Sequence, residues 1–201
     1  MEINHQYFDD LELACSTFAS KRLLVFTGCS GSGKSTAIDF LLRHNPGFNN
    51  QPYSTITGGP IDWQQHDLNQ LEELVVIDEL LTSADLWPIA KLLRRKHTVI
   101  TASHIPSVFF KLLDWRWPTK YFVTDTNPEK IARYLSYLGL QYSASAVQRY
   151  TQDFGANFTD VNIILERFPT DNFDRALNYY QRYCRHRLTP NLIKQELNPS
   201  A

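Results

Sequence analysis

An excess of either charge is the first thing this chain lacks: 20 Lys+Arg face 21 Asp+Glu, leaving a formal net charge of -1 over 201 residues. A near-neutral chain has no bulk field to hold a polyanion, so contact with nucleic acid would have to come from a local patch. Cysteine is scarce as well. Cys15, Cys29 and Cys184 are scattered without CxxC or finger spacing, which argues against a disulfide framework and fits a reducing, intracellular setting. Apolar runs are short, since Leu23–Phe26 and Leu74–Ile77 fall far below the span of a bilayer. The opening Met-Glu-Ile-Asn-His lacks a basic stretch leading into an apolar one, so no secretory signal is expected and the protein reads as cytoplasmic. Internal repeats and low-complexity tracts are missing too. Core material is plentiful: 43% hydrophobic and 13% aromatic residues suffice for an α/β domain, alone or with a small helical appendage.

Order along the chain is legible in the spacing of apolar residues. Residues 1–20 form an amphipathic lead-in with Phe8, Leu11, Leu13 and Phe18 as its apolar positions. Leu23–Phe26 and Leu74–Ile77 are continuous apolar runs, the mark of strands buried on both faces. Further strands are predicted at Tyr53–Thr57, Thr98–Ala102 and Tyr121–Val123, with a turn at Gly58-Gly59-Pro60. A helix follows Gly33 and stops at Asn45-Pro46-Gly47; another, capped by Ser83, runs to Arg95. Alternation of this kind specifies a parallel sheet with helices on both faces. After Asp125 only helices are predicted, at Asn127–Gly139, Ala144–Asp153, Thr159–Arg167 and Asp174–Arg187. The expected organisation is an α/β core over 1–125, an all-helical subdomain over 126–188 and a tail over 189–201.

The chemistry concentrates where the first apolar strand ends. Gly28-Cys29-Ser30-Gly31-Ser32-Gly33-Lys34-Ser35 satisfies G-x-x-x-x-G-K-[ST], between a strand and a helix as that motif requires. Its glycines let successive backbone N–H groups converge on phosphate oxygens, and the helix aims its positive end at the same anion. Lys34 is placed to reach the β- and γ-phosphates and Ser35 to take a position on Mg2+, while Thr36 either joins the cradle or faces the helix surface.

Two carboxylates, Asp78 and Glu79, close the second apolar strand. At a strand tip opposite the loop, Asp78 can hold Mg2+ through water and Glu79 can polarise an attacking water. Without the loop upstream, the same pair would read as a solvated strand end. Thr101, Ser103 and His104 end the Thr98 strand, where ligands of parallel sheets bind. One of the two hydroxyls is a candidate to orient water, and His104 a candidate γ-phosphate contact; local turn bonds are the plainer role for each.

On Gly28–Thr36, Asp78 and Glu79 the chain resembles the additional-strand branch of P-loop ATPases, and within it the AAA+ group, over Leu23–Arg167. The resemblance implies a five-stranded parallel sheet with the Thr98 strand between the loop strand and the Asp78 strand, a three-layer sandwich, and a helical lid after Asn127. It implies ATP with Mg2+, a sensor role for Ser103 or Thr101, and an arginine acting on a neighbouring copy's nucleotide. Arg116 is the candidate for that arginine, with Arg94 and Arg95 as rivals and a surface salt bridge as the alternative role. The pattern departs at Thr159, where an arginine is expected in the lid. Thr-Ala-Ser-His also resembles the switch histidine of ABC ATPases, but no LSGGQ lies between the loop and Leu74, only about forty residues from Lys34. No guanine-reading N/T-K-x-D run is present around Thr119-Lys120.

The leading expectation is therefore a Mg-dependent ATPase that switches or assembles a protein or protein–nucleic-acid partner, with a homo-oligomer or a protein partner expected. A small-molecule kinase and a non-hydrolysing nucleotide-binding protein stay open beside it. Asp174–Arg187 mixes Arg175, Arg182, Arg185 and Arg187 with Tyr179, Tyr180 and Tyr183. That mixture suits either a nucleic-acid backbone or an amphipathic helix with Leu177, Tyr180 and Cys184 packed inward.

Overall fold

A computed structural model describes residues 18, 20–57, 61–124, 127–155 and 157–184. The lead-in positions Phe8, Leu11 and Leu13, Cys15, the turn at 58–60, Arg185, Arg187 and the tail from Thr189 lie outside the described residues. The chain divides into two compact units, Met1–Asp125 and Thr126–Ala201.

In the first unit, five strands form one sheet: β1 (Leu23–Thr27), β2 (Tyr53–Ile56), β3 (Leu74–Leu80), β4 (Thr98–Ser103) and β5 (Thr119–Val123). Their order is β2-β3-β4-β1-β5 and every neighbouring pair is parallel. The Thr98 strand does lie between the other two, as the resemblance implied. β1, β3 and β4 are buried on both faces, which is why Leu23–Phe26 and Leu74–Ile77 read as unbroken apolar runs, while β4 buries two hydroxyls as well. Alternate residues feed two cores. Leu24, Phe26, Val76, Ile100 and Phe122 pack against α1 (Lys34–His44) through Ala37, Ile38 and Leu41. On the other face Leu23, Val25, Val75, Ile77 and Val99 pack with Ile89 and Leu92 of α2 (Leu86–Arg94) and Phe110 and Leu113 of α3 (Ser107–Asp114). This is an α/β three-layer sandwich. Truncating a ring such as Phe26 to alanine removes about 3–5 kcal/mol of such packing.

One boundary differs from expectation. The helix expected from Ser83 begins as a 3-10 turn over Ser83–Asp85, and its cap is Thr82, whose side chain pairs reciprocally with Asp85. Asp85 is buried and also accepts from the Trp63 indole at 2.7 Å, so tertiary contact, not local propensity, sets this helix start.

The second unit is helical: α4 (Pro128–Tyr137), α5 (Ala144–Phe154), α6 (Phe158–Arg167) and α7 (Phe173–Tyr183). Their buried faces meet in a core of Ile131, Leu135, Tyr150, Ile164, Phe173 and Tyr180. No helix among the described residues is long and apolar enough to cross a membrane.

Candidate functional site

Because all strands run the same way, the segments leaving β1, β3, β4 and β5 gather at one edge of the sheet. There the chain leaves β1 through Gly28 and enters α1 at Gly33. Gly31 and Gly33 are left-handed, at φ 73 and 88, with one ordinary residue, Ser32, between them. That succession turns consecutive N–H groups to one side, the arrangement that makes an anion-binding concavity. Gly28 answers a different need: a Cβ there would stand 2.5 Å from the Thr124 hydroxyl and 2.7 Å from that of Ser32. Those two hydroxyls are buried and bonded to each other at 2.7 Å, and Thr124 also donates to the Thr27 carbonyl at 3.2 Å. Thr124 thus clamps the loop from the end of β5. Sequence reading missed it, because a threonine after a strand signals nothing until β5 is known to flank β1.

Lys34 opens α1 and is buried, its Nζ donating to the carbonyls of Gly28 at 3.0 Å and Cys29 at 2.8 Å. The ammonium therefore lies across the loop. Burial pushes its pKa below the ordinary lysine value, against the opposing pull of Cys29, Asp78 and Glu79. Ser35, the next residue, donates its hydroxyl to Asp78 Oδ1 at 2.9 Å. Ser30 and Thr36 are exposed, whereas Ser32 faces inward.

β3 carries an irregularity here. Its pairing with β4 skips from Ile77↔Thr101 to Leu80↔Ser103, and within the skip Glu79 takes φ 61. A non-glycine residue held in that region costs about 1–3 kcal/mol and needs a surrounding structure that imposes it. The Glu79 N–H donates to Asp78 Oδ1 at 3.1 Å, and the ladder resumes with Leu80. The bulge turns one carboxylate toward Ser35 and leaves the next exposed.

The remaining candidates separate. Ser103 is fully buried and its hydroxyl is held in the turn after β4, accepting from Ile105 N at 2.9 Å. Thr101 is also fully buried, bonding only within its own strand at Ala102 O, 3.4 Å. His104 is exposed, its backbone N–H fixed on Leu80 O at 3.0 Å. Desolvation lowers its pKa, helped by the Lys34 charge and opposed by Glu79 and Asp78, so it belongs to the same electrostatic cluster. Arg116 lies elsewhere. It precedes β5, whose Thr119 pairs with Leu23 at the start of β1, so it occupies the sheet edge opposite the loop. Its guanidinium sits 5.4 Å from the Trp117 ring. Arg94 and Arg95, exposed ahead of β4, share that far edge. Within one copy, none of these three arginines reaches the loop.

One hydroxyl and one carboxylate, 2.9 Å apart beside an anion cradle, suit Mg2+, which takes one or two protein oxygens and completes its shell with water and phosphate.

No family model matches the chain, and no curated protein does. A solved structure, that of C. elegans PCH-2, is similar at 16% identity and a TM-score of 0.49, over 94% of this chain and 65% of that one.

Proposed function

We propose that the chain binds ATP with Mg2+ at this edge of the sheet and hydrolyses it, using the cycle to switch a partner. The observation that carries the reading is the Ser35–Asp78 hydrogen bond: the hydroxyl of the loop motif and the carboxylate of the acidic pair, 43 positions apart, meet at 2.9 Å. The loop amides and the start of α1 bind the phosphate tail, and Lys34 turns from the loop carbonyls to neutralise it. Ser35 and Asp78 would hold the cation, which when bound would offset the negative charge of the phosphates. Glu79, set out from the strand by its bulge, accepts a proton from water. A carboxylate exposed at the strand end beside the phosphate loop favours water as the acceptor over another metabolite. An arginine from the far edge of a second copy, Arg116 first among them, would complete such a site only in an assembly.

Calorimetry with ATP and Mg2+, paired with phosphate release in the absence of any acceptor, tests this. Lys34→Ala is expected to abolish binding, and Glu79→Gln to keep binding while slowing release at least about a hundredfold. Binding without acceptor-free release would point to phosphoryl transfer or to a non-hydrolysing binder; no ATP uptake by folded protein would end the proposal.

A further inference from the structure

Away from the phosphate loop, the most organised group of exposed side chains lies on the outer face of α7. Phe168 stacks on Tyr179 with centroids 5.8 Å apart and planes at 29°, and Tyr179 stacks on Tyr183 at 6.4 Å and 23°. The two tyrosines are 44% and 64% exposed, so this ladder presents ring surface to solvent instead of filling a core. Tyr180, fully buried beneath, meets Phe168 edge-on at 6.3 Å and Phe154 at 6.0 Å, which fixes the ladder from below.

Basic groups surround the rings. The Arg182 guanidinium sits 5.5 Å from the Tyr183 ring. Arg149, reaching over from α5, donates to Asn178 at 3.2 Å. Arg167 lies 3.8 Å from the Cys184 sulfur at the end of α7, and Arg175 is exposed one turn before Tyr179. From Arg175 to Tyr183 the helix carries no acidic residue. Two of the acids that border it are engaged: Asp174 accepts from the backbone and hydroxyl of Ser143, and Asp153 from Gln181, while Glu166 lies exposed beside Arg167.

A neutral chain that gathers four arginines around stacked, exposed rings has made the local patch its bulk charge does not supply. Flat rings offer a stacking partner to a base whose face is free, and such faces exist in unpaired strands, not inside a duplex. We propose that this face binds single-stranded nucleic acid, with bases on Tyr179 and Tyr183 and phosphates on Arg149, Arg167, Arg175 and Arg182. The site stands apart from the ATPase reading and does not depend on it.

The test is fluorescence anisotropy of labelled oligo-dT and oligo-rU with the full chain, without nucleotide, over a salt series. Tyr179→Ala and Tyr183→Ala should each weaken binding about tenfold, while the corresponding Phe variants bind like the parent. Arg182→Gln should make the slope of log affinity against log salt shallower by about 0.7. Lys34→Ala should bind strands normally even if it has lost ATP, which separates this site from the phosphate loop. The tighter of the two oligonucleotides identifies the preferred sugar. Absence of binding at low salt, equal binding of duplex, or binding that the tyrosine and arginine variants leave intact would overturn the proposal; the first of these would leave the face to a protein partner.

Discussion

Helix starts differ between the two units, and the difference separates folding from binding. All four described helices of the second unit carry a side-chain cap: Asn127, Ser143, Asn157 and Asn172 each accept from a backbone N–H three residues on. In the first unit the residues opening α1, α2 and α3, namely Gly33, Asp85 and Pro106, provide no such bond. For α2 the preceding Thr82–Asp85 box compensates. For α1 nothing of the kind exists, and a side-chain cap there would take the amides that a phosphate needs. The second unit closes its described helices with side chains, whereas α1, which must receive an anion, is left open; α3 is uncapped too, because its opening residue is a proline with no side-chain acceptor.

Closing the open start is the harshest way to break that contrast. Gly33→Asp sets a carboxylate on the first turn of α1, and ATP affinity measured by calorimetry should fall more than about a hundredfold, since each charge-assisted bond lost is worth about 1.5–3 kcal/mol. Because Gly33 sits at φ 88, the substitution should also lower stability by about 1–2 kcal/mol, too little to unfold the site. Unimpaired ATP binding would mean that the phosphate does not sit there. The reverse experiment opens a closed start. Asn157→Ala deletes the cap of α6 and should cost about 1–2 kcal/mol in urea unfolding, with no change in ATP affinity.

A smaller effect comes from His104, next to the open helix. Desolvation depresses its folded pKa, so below about pH 6.5 the unfolded state binds more protons than the native one, and stability falls on acidification. Above that range the contribution is fully present. His104→Gln should lessen the loss of stability between pH 7.5 and pH 5.5, a window chosen to straddle a reference value of about 6.5. An unchanged difference between the two pH values would remove His104 from the cluster around Lys34. The smallest expected effect lies in the capped unit. Tyr180 buries a hydroxyl without a hydrogen-bond partner, so Tyr180→Phe should be neutral or stabilising, within about 1 kcal/mol. A clear destabilisation would reveal a partner for that hydroxyl.

Strands buried on both faces were the easiest part of the fold to read, because Leu23–Phe26 and Leu74–Ile77 have no polar residue to confuse the pattern. β5 was harder, since Lys120 interrupts it, and its start at Thr119 emerges only from pairing with β1. The start of α2 was misplaced for a related reason: Asp85 is held by Trp63, 22 residues earlier, and no local pattern reports such a bond. In the candidate site, the loop and the acidic pair were legible as motifs, whereas Thr124 and the φ of Glu79 were not. Ser103 and Arg116 could be named from position along the chain, but their surroundings depend on which strand edge each occupies.

By itself the sequence determined the local chemistry: where glycines free the backbone, where apolar runs must be buried on both faces, and which residues can touch phosphate or metal. These follow from covalent constitution and short-range sterics, which travel with the chain. Tertiary structure alone decided which distant groups meet. Ser35 reaches Asp78, Thr124 closes on Gly28, and Phe168 comes to lie on Tyr179, only because parallel pairing and helix packing bring separate segments into register. Juxtaposition is a property of the packed whole, set by the cores on either face of the sheet and between the helices.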